Sequence, residues 1–238
     1  MKLILDVHCH TLASGHAYST IEEMASQAKK IDFELIAITE HGPKMPGGPE
    51  LIYFRNLRVV PEKIHGVEVL VGAEVNIMDY DGGLDMPEEV LKDLDVVIAS
   101  LHQPCVKPGS VEDNTNALIN VMKLPYIHIL GHTGNPSYPI DINRLTRAAK
   151  EYNVLIEINN SSLAPGSFRV GSWENCYNIL KACRDEGVRV VVGSDAHISK
   201  DLGNFSSALK LIEDLQVTEE LIMNTCPIKF KNFLKEKA

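Results

Sequence analysis

The chain has 238 residues, of which 45% are hydrophobic, and it carries a formal net charge of −9. No apolar stretch approaches the roughly 20 residues that a helix needs to cross a bilayer, and Asp6 interrupts any signal-peptide core at the amino terminus. The acidic balance argues against a nucleic-acid binder, which normally presents a basic surface. We therefore expect a cytoplasmic protein without membrane association.

Seven short apolar runs are predicted to be β-strands, because they are rich in Val and Ile and are bounded by Gly, Pro, Asn or Asp. In chain order they cover 3–7, 35–39, 69–73, 96–101, 127–131, 154–158 and 190–194. No linker or low-complexity tract separates them, so the pattern predicts a single domain over residues 1–238. The length fits one α/β barrel.

Helical patterns lie between these strands. The predicted helix starts and stops are a capping box at Thr20 and Glu23, a first-turn proline at Pro87, N-caps at Asp141 and Ser172, and a closing Gly187. Further helical patterns cover 206–215, 218–223 and 228–234. Alternating strands and helices predict parallel strands joined by helical crossovers.

The first strand ends in His8-Cys9-His10. Because alternate residues of a strand share a face, we expect His8 and His10 to point the same way, with Asp6 beneath them and Cys9 on the opposite face. Two neutral imidazoles at the end of a buried strand suit a metal ion. The alternative is an ordinary strand end with two solvated histidines.

Most of the other predicted strands also end in a residue that can bind a metal. These residues are His41, Glu74, His102, His132, Asn159, Asp195 and His197. An open doubly wound sheet would spread them along one edge, whereas a barrel gathers them around one mouth. We therefore predict a distorted seven-stranded β/α barrel of the TIM-like kind, with its metal site at the carboxyl ends of the strands.

Nine candidate metal ligands result: His8, His10, His16, His41, Glu74, His102, His132, Asp195 and His197. Nine donors are too many for one tetrahedral zinc and suit two or three ions. A nitrogen-rich set favours Zn²⁺, Mn²⁺ or Fe²⁺ over Mg²⁺ or Ca²⁺. His65 and His128 fall outside the set, and His128 is left open between a contact to the ligands and a structural role.

Six stretches resemble the motifs of the PHP (polymerase and histidinol phosphatase) domain family. They read Asp6-Val7-His8-Cys9-His10-Thr11, Ile38-Thr39-Glu40-His41-Gly42, Gly72-Ala73-Glu74, Leu101-His102, Gly131-His132 and Gly193-Ser194-Asp195-Ala196-His197. The segments 16–20, 132–136 and 158–162 are most similar to the YcdX-type trinuclear-zinc phosphatases of that family. The resemblance extends over nearly the whole chain.

The resemblance implies a seven-stranded barrel with three divalent ions, commonly zinc in this subgroup. Carried over position by position, it gives His8, His10, Glu74 and Asp195 to the first ion, Glu74, His102 and His132 to the second, and His16, His41 and His197 to the third. The Glu74 carboxylate would bridge the first two ions. No ligand position is missing from the sequence.

The main functional hypothesis is hydrolysis of phosphate monoesters by a metal-bridging hydroxide. A water shared by two close ions loses a proton near neutral pH, and a third ion can bind phosphate oxygens. The expected partner is a small phosphorylated substrate, and the proposed catalytic residues are Glu74, Asp195, His41 and Arg169. The alternatives are a phosphodiesterase or nuclease and, less favoured, a non-catalytic metal-binding module.

Several further side chains are candidates for supporting roles. Arg169, in the loop after the sixth predicted strand, suits a bidentate grip on phosphate, or else is a solvated loop arginine. Lys44 is a weaker candidate for a substrate contact, and Tyr18 either contacts the substrate or simply packs. Asn159 either positions water or substrate or caps the strand end, and Asp6 is expected to orient a ligand histidine. The sequence fixes neither the substrate nor whether the chain forms a homo-oligomer.

Overall fold

The computed structural model describes residues 1–237. The strands in this part of the chain are β1 (Leu5–Cys9), β2 (Leu35–His41), β3 (Lys63–Ile64), β4 (Val67–Asn76), β5 (Val96–Ser100), β6 (Ile129–Leu130), β7 (Leu155–Asn159) and β8 (Val190–Gly193). The helices are α1 (Ile21–Lys30), α2 (Leu51–Asn56), α3 (Glu88–Leu91), α4 (Val111–Met122), α5 (Ile142–Glu151), α6 (Asn160–Leu163), α7 (Ser172–Glu186), α8 (Ser206–Asp214) and α9 (Pro227–Lys237).

Seven strands form one parallel sheet in the order β1-β2-β4-β5-β6-β7-β8, and β3 adds a short antiparallel hairpin to β4. All seven predicted strands are present, with ends shifted by a few residues. The two-residue β3 was not predicted, since it is too short to show an alternating pattern. The helices that cover the sheet bury its outer face, which explains the near-continuous apolar character of the strands.

The sheet curls until β8 meets β1. The N–H of His10 donates to the carbonyl of Ala196 at 2.9 Å, which joins the two strands at their carboxyl ends. Lower down, the buried side chain of Asn224 fills the gap, since its Nδ2 donates to the carbonyls of Leu5 at 3.0 Å and Val192 at 2.8 Å. The predicted seven-stranded β/α barrel is confirmed, with part of its closure made by one side-chain amide.

Apolar side chains fill the barrel from its amino-terminal end. Leu5, Val7 and Val191 are among the buried interior residues, and Phe230 and Phe233 of α9 pack in the same cluster. Helix α9 therefore covers the amino-terminal opening. The carboxyl ends of the strands stay open, and polar side chains collect there.

A β-bulge alters the first strand. Three residues of β1 match two of β2, because Asp6 lies opposite Ile36 and Cys9 opposite Ile38. Such a bulge turns the following side chains. Cys9 packs in the outer apolar cluster, as predicted. The prediction that Asp6 lies beneath the two histidines is wrong, because its carboxylate accepts the main-chain N–H groups of Ser194 at 3.2 Å and Gly203 at 3.0 Å.

The helix ends follow the sequence signals with one exception. The capping box at the start of α1 is present, α3 begins directly after Pro87, and Asp141 accepts the N–H of Arg144 at 3.1 Å. Ser172 does not cap α7. It is the first residue of that helix, and its hydroxyl donates to the carbonyl of Arg169 at 2.8 Å.

Two helical regions also differ from expectation. Helix α4 was not predicted, although Ser110 and Asp113 form a capping box at its start. The segment 218–223 forms only short 3₁₀ turns. Within residues 1–237, every helix is too short or too polar to reach across a bilayer.

Candidate metal centre

The nine candidate ligands lie together at the carboxyl-terminal mouth of the barrel. Parallel register explains the convergence, because it places the ends of neighbouring strands side by side; His41 of β2, for example, lies opposite Glu74 of β4. Most of the nine are buried, whereas His16 is exposed and His197 is partly exposed. Their positions agree with the sequence prediction, and their roles as ligands stay a prediction.

One group of donors surrounds one oxygen of Glu74. Its Oε2 lies 3.4 Å from Nε2 of His8 and 3.6 Å from Nε2 of His10. Asp195 approaches from the other side, with Oδ1 at 3.3 Å from His10 Nε2 and 3.7 Å from His8 Nε2. These four side chains are the set that the resemblance gives to the first ion.

A second group surrounds the other oxygen of Glu74. Its Oε1 lies 2.9 Å from Nε2 of His132 and 3.3 Å from Nε2 of His102. The two histidine nitrogens are 3.1 Å apart. The carboxylate therefore presents one oxygen to each group, which is the arrangement that a bridging ligand needs.

A third group forms around His41. Its ring centre lies 4.9 Å from that of His16 and 5.7 Å from that of His197, the two residues grouped with it on the basis of the sequence. His10 is closer, at 4.2 Å. The donor atoms of His10, His41 and His197 lie within 4.8 Å of one another, whereas His16 stays at the outer edge. The third set is therefore looser than the other two.

The chemistry of this donor set fits divalent ions. Four buried atoms of this donor set make no hydrogen bond within the described residues: His8 Nε2, His10 Nε2, His41 Nδ1 and Glu74 Oε2. Two of them, His41 Nδ1 and Glu74 Oε2, lie 2.7 Å apart. Buried polar atoms are nearly always paired, and leaving them unpaired is costly. Three imidazole nitrogens and a carboxylate oxygen that converge in this way suit a cation.

The pKa shifts of Glu74, His10 and His132 also suit metal binding, for which imidazoles must be neutral and carboxylates ionised. Burial raises the pKa of the Glu74 carboxyl, but His102 and His8 outweigh it and hold that pKa well below its usual value. Burial and the neighbouring His41 lower the pKa of His10. Burial and Arg169 lower the pKa of His132 to about 4.

Glu157 is a buried site residue that the sequence reasoning missed. Its Oε1 accepts Nδ1–H of His8 at 2.6 Å, and its Oε2 accepts the N–H of His132 at 2.7 Å. Although burial opposes it, the Glu157 carboxylate raises the pKa of His8 well above its usual value, so a metal ion must displace a proton there. An acid inside the apolar run 154–158 was the available signal.

Gly193 makes this contact sterically feasible. A Cβ at position 193 would lie 1.9 Å from Oε1 of Glu157 and 2.8 Å from the Cβ of His8. Any larger residue would therefore push the carboxylate away from the His8 ring. The glycine in the Gly193-Ser194-Asp195 stretch is explained by this close approach.

Ser14 and Glu40 fix the orientation of His10. The Ser14 hydroxyl donates its only proton to Oε2 of Glu40 at 2.6 Å. It must therefore accept from the N–H of His41 at 3.0 Å and from Nδ1–H of His10 at 3.3 Å. With the proton on Nδ1, Nε2 of His10 is left with a lone pair that faces the centre. Neither Ser14 nor Glu40 was among the predicted site residues.

Asn76 and Asp85 fix His102 in the same way. Nδ2 of Asn76 donates to Asp85, so the amide oxygen of Asn76 faces His102 and accepts its Nδ1–H at 2.8 Å. Nε2 of His102 is therefore available as a ligand. Outer partners of this kind are a regular feature of metal sites. The expectation that Asp6 orients a ligand histidine is wrong, because its carboxylate accepts main-chain N–H groups, that of His8 included, and contacts no histidine ring.

The backbone is strained at two of the ligand positions. His132 has φ of 30° and Asp195 has φ of 56°, in the left-handed region that residues with a Cβ rarely adopt. Strained residues cluster where side chains must be held in a functional position. The N–H of His132 is fixed by Glu157, and the side chain of Asp195 by Arg169.

Arg169 lies in the mouth and is not a solvated loop residue. It is 9% exposed, and its Nη1 is 3.0 Å from Oγ of Ser162 and 3.3 Å from Oδ2 of Asp195. Asn159 performs two tasks, since its Oδ1 accepts the N–H of Ser162 at 2.8 Å to cap α6 and its Nδ2 donates to Asp195 at 3.3 Å.

A cavity of about 680 Å³ opens above the centre. His16, His102 and Arg169 line it, together with neutral polar side chains such as Asn135 and Ser161. Lys44 and Tyr18 are exposed side chains that are not part of its wall, which does not support the predicted substrate contacts.

The two remaining histidines lie away from the centre. His65 is exposed and pairs with Glu22 at 2.9 Å. His128 lies before β6 at the amino-terminal end of the barrel, where its Nδ1 accepts the N–H of Val97 at 3.0 Å. Of the two roles left open for His128, the structure supports the structural one.

Comparison with known proteins places the chain in a family. The PHP domain pattern matches residues 6–161. A probable phosphatase of Thermoanaerobacter sp. (strain X514) is 57% identical over 238 residues, which cover 100% of this chain and 96% of the relative. A probable phosphatase of Clostridium novyi (strain NT) is 51% identical and covers 100% and 97%.

Among solved structures, the fold is similar to histidinol phosphate phosphatase from Lactococcus lactis subsp. lactis, complexed with zinc, L-histidinol and phosphate. The TM-score is 0.64 at 17% identity, over 90% of this chain and 94% of that one. At this identity the likeness concerns the fold alone. The family pattern and the relatives, which extend over the full length of the sequence, lead to one conclusion: the chain belongs to the PHP domain family.

Proposed function

We propose that the chain is a metal-dependent phosphatase that hydrolyses small phosphate monoesters at a centre of three divalent ions, with Zn²⁺ as the first candidate. The observation that carries the proposal is that each oxygen of the Glu74 carboxylate faces a group of histidines. Arg169 lies beside these groups, in contact with Asp195. The relatives named probable phosphatases support the reaction class.

The residues fall into three sets around the ions. His8, His10 and Asp195 would hold the first, His102 and His132 the second, and His16, His41 and His197 the third, with Glu74 bridging the first two. When bound, such ions lower the pKa of a shared water enough for it to attack phosphorus and offset charge on the phosphate oxygens.

Arg169 is the proposed phosphate grip. All of its recorded side-chain hydrogen bonds use Nη1. Its Nη2 and Nε donors have no partner among the described residues, so they can bind two phosphate oxygens side by side. Asp195 holds the guanidinium in place at 3.3 Å while its other oxygen faces His10. One carboxylate thereby links the phosphate grip to the metal ligands.

The wall of the mouth favours a small substrate over a nucleic acid. Arg169 is its only arginine, and no lysine lines the cavity among the described residues. A strand of nucleic acid needs a cationic track with aromatic stacking platforms. A single phosphate on a small organic group matches one arginine and a cavity of about 680 Å³.

A substrate panel tests the proposal. Protein loaded separately with Zn²⁺, Mn²⁺ or Fe²⁺ is given small phosphate monoesters, bis(4-nitrophenyl) phosphate and a short single-stranded oligonucleotide. We expect the monoesters to react fastest. Faster oligonucleotide cleavage would establish a phosphodiesterase instead, and no turnover on the whole panel would favour a non-catalytic metal-binding module.

Elemental analysis tests the ion count separately. Gently purified protein should contain close to three ions per chain. Full activity with one ion or none would overturn the trinuclear centre.

A further inference from the structure

A second cavity, of about 480 Å³, lies at the opposite end of the barrel, beside α9. Its wall is mostly apolar and includes Leu70, Leu91, Leu94 and Leu234. Volumes of this size and apolar walls with a few polar groups are typical of small-molecule sites. The cavity is separate from the metal centre, since its residues precede β5 and β6 or belong to α3, β4 and α9.

His128 supplies a fixed donor in this cavity. Its Nδ1 accepts the N–H of Val97 at 3.0 Å, so the ring proton must be on Nε2. Burial lowers the pKa of His128 to about 4, which keeps the ring neutral. No acceptor for Nε2 is found among the described residues, and His128 is only 5% exposed. Water can satisfy this donor, and so can a ligand that brings an acceptor atom into the cavity.

The wall contains one cation, Lys235, that no carboxylate of the described residues pairs with. Three lysines, Lys92, Lys231 and Lys235, face one acid, Asp95, although the whole chain carries −9. Lys92 and Lys231 are already paired with carboxylates of neighbouring residues. Lys235 is exposed and has no ion pair among the described residues. One oxygen of Asp95 accepts the N–H of Val71 at 2.9 Å.

We propose that this cavity binds a small carboxylate with an apolar body, of about the size of a medium-chain fatty acid. The leucines would cover the chain, and the carboxylate would accept hydrogen bonds from Nε2–H of His128 and from the Lys235 ammonium group. A recessed donor, an apolar wall and an unpaired cation together match an amphipathic anion better than a flat protein surface.

Calorimetric titration of the metal-loaded protein with decanoate tests the proposal. Excess inorganic phosphate is present throughout, because a carboxylate could otherwise bind the metal centre. We expect saturable binding of one decanoate per chain and weaker binding of decanol, which has the same chain without the charge. In NMR spectra, decanoate should shift the ring resonances of His128 and leave those of His65 unchanged.

The Lys235→Glu variant provides the decisive comparison, since Lys235 is exposed and the fold does not depend on it. Binding should weaken about tenfold or more, the effect of losing a charge-assisted hydrogen bond, whereas the matched Lys200→Glu variant should bind as the wild type does. Unchanged binding in Lys235→Glu, no saturable binding, or shifts at residues other than His128 would overturn the proposal. Binding only to anionic vesicles and not to free decanoate would assign the face to a lipid surface instead.

Discussion

The two ends of the barrel are built from the same strands but differ in their buried side chains, which are polar at the mouth and apolar at the opposite end. At the mouth, buried polar atoms such as His8 Nε2 and Glu74 Oε2 make no hydrogen bond among the described residues, and two candidate ligands, His132 and Asp195, have positive φ. At the amino-terminal end of the barrel, which we call the floor, Phe230 and Phe233 of α9 pack against apolar side chains from the beginnings of the strands. Buried apolar surface at the floor stabilises the fold. This stabilisation offsets the cost of holding buried polar groups in place at the mouth. Stability and function are thus divided along the strand axis.

We expect the largest effect from Glu74→Gln, which alters the candidate metal centre at the mouth and leaves the floor unchanged. An amide cannot offer an ionised oxygen to both histidine groups, so we expect loss of the first two ions and a fall in kcat on the order of a thousandfold or more, beyond the loss of a single transition-state donor. Elemental analysis and steady-state kinetics check this. The exposed Glu62→Gln variant is the control, and unaltered metal content in Glu74→Gln would contradict the bridging role.

The converse change is Phe230→Ala, which removes apolar packing at the floor and leaves the candidate metal ligands unchanged. Removing this fully buried ring should lower the free energy of unfolding by about 3–5 kcal/mol, the usual cost for a large aromatic in a core. Below the new melting temperature, the ion content per chain should stay that of the wild type. Denaturant unfolding and elemental analysis measure the two quantities. Loss of the ions in a variant that is still folded would show that the two ends are coupled.

The Arg169→Met variant separates the effect of phosphate binding on catalysis from the effect of metal binding. We expect kcat/KM for monoesters to fall about a hundredfold, with the number of bound ions unchanged, because Arg169 contacts Asp195 through one nitrogen only. The exposed Arg147→Met variant is the control for loss of a positive charge. If Arg169→Met loses ions as well, the arginine acts mainly by holding Asp195.

The smallest effect is expected for Glu157→Gln, which keeps every predicted ligand and changes only the carboxylate that contacts the ring of His8 and the main-chain N–H of His132. Metal affinity should fall about 10–100-fold, the usual cost of altering such an outer partner. Competition with a chromophoric chelator measures the affinity. Excess metal should restore most of kcat, and the surface variant Glu151→Gln should behave as the wild type. An unchanged affinity would mean that His8 is held by the bulge in β1 alone.

The sequence predicted the barrel and the residues at its mouth because both depend on short-range patterns. Apolar runs that end in His41, Glu74 or His102 mark the strands and place the donors at one end. The supporting network did not follow from these patterns. The spacing predicted that Asp6 lies beneath His8 and His10 and orients a ligand histidine. The strand has a bulge at residues 6–9, and Glu157, 149 positions away, holds the His8 ring instead.

The sequence by itself determined seven apolar strands and nine candidate metal ligands at or near their ends. What only the tertiary structure decided is which atom faces which. The two oxygens of Glu74 are divided between two histidine groups, and Ser14 and Asn76 fix the tautomers of His10 and His102. His128 lines a second cavity at the amino-terminal end of the barrel. These contacts join residues far apart in the chain, so they exist only after the sheet has closed around its core.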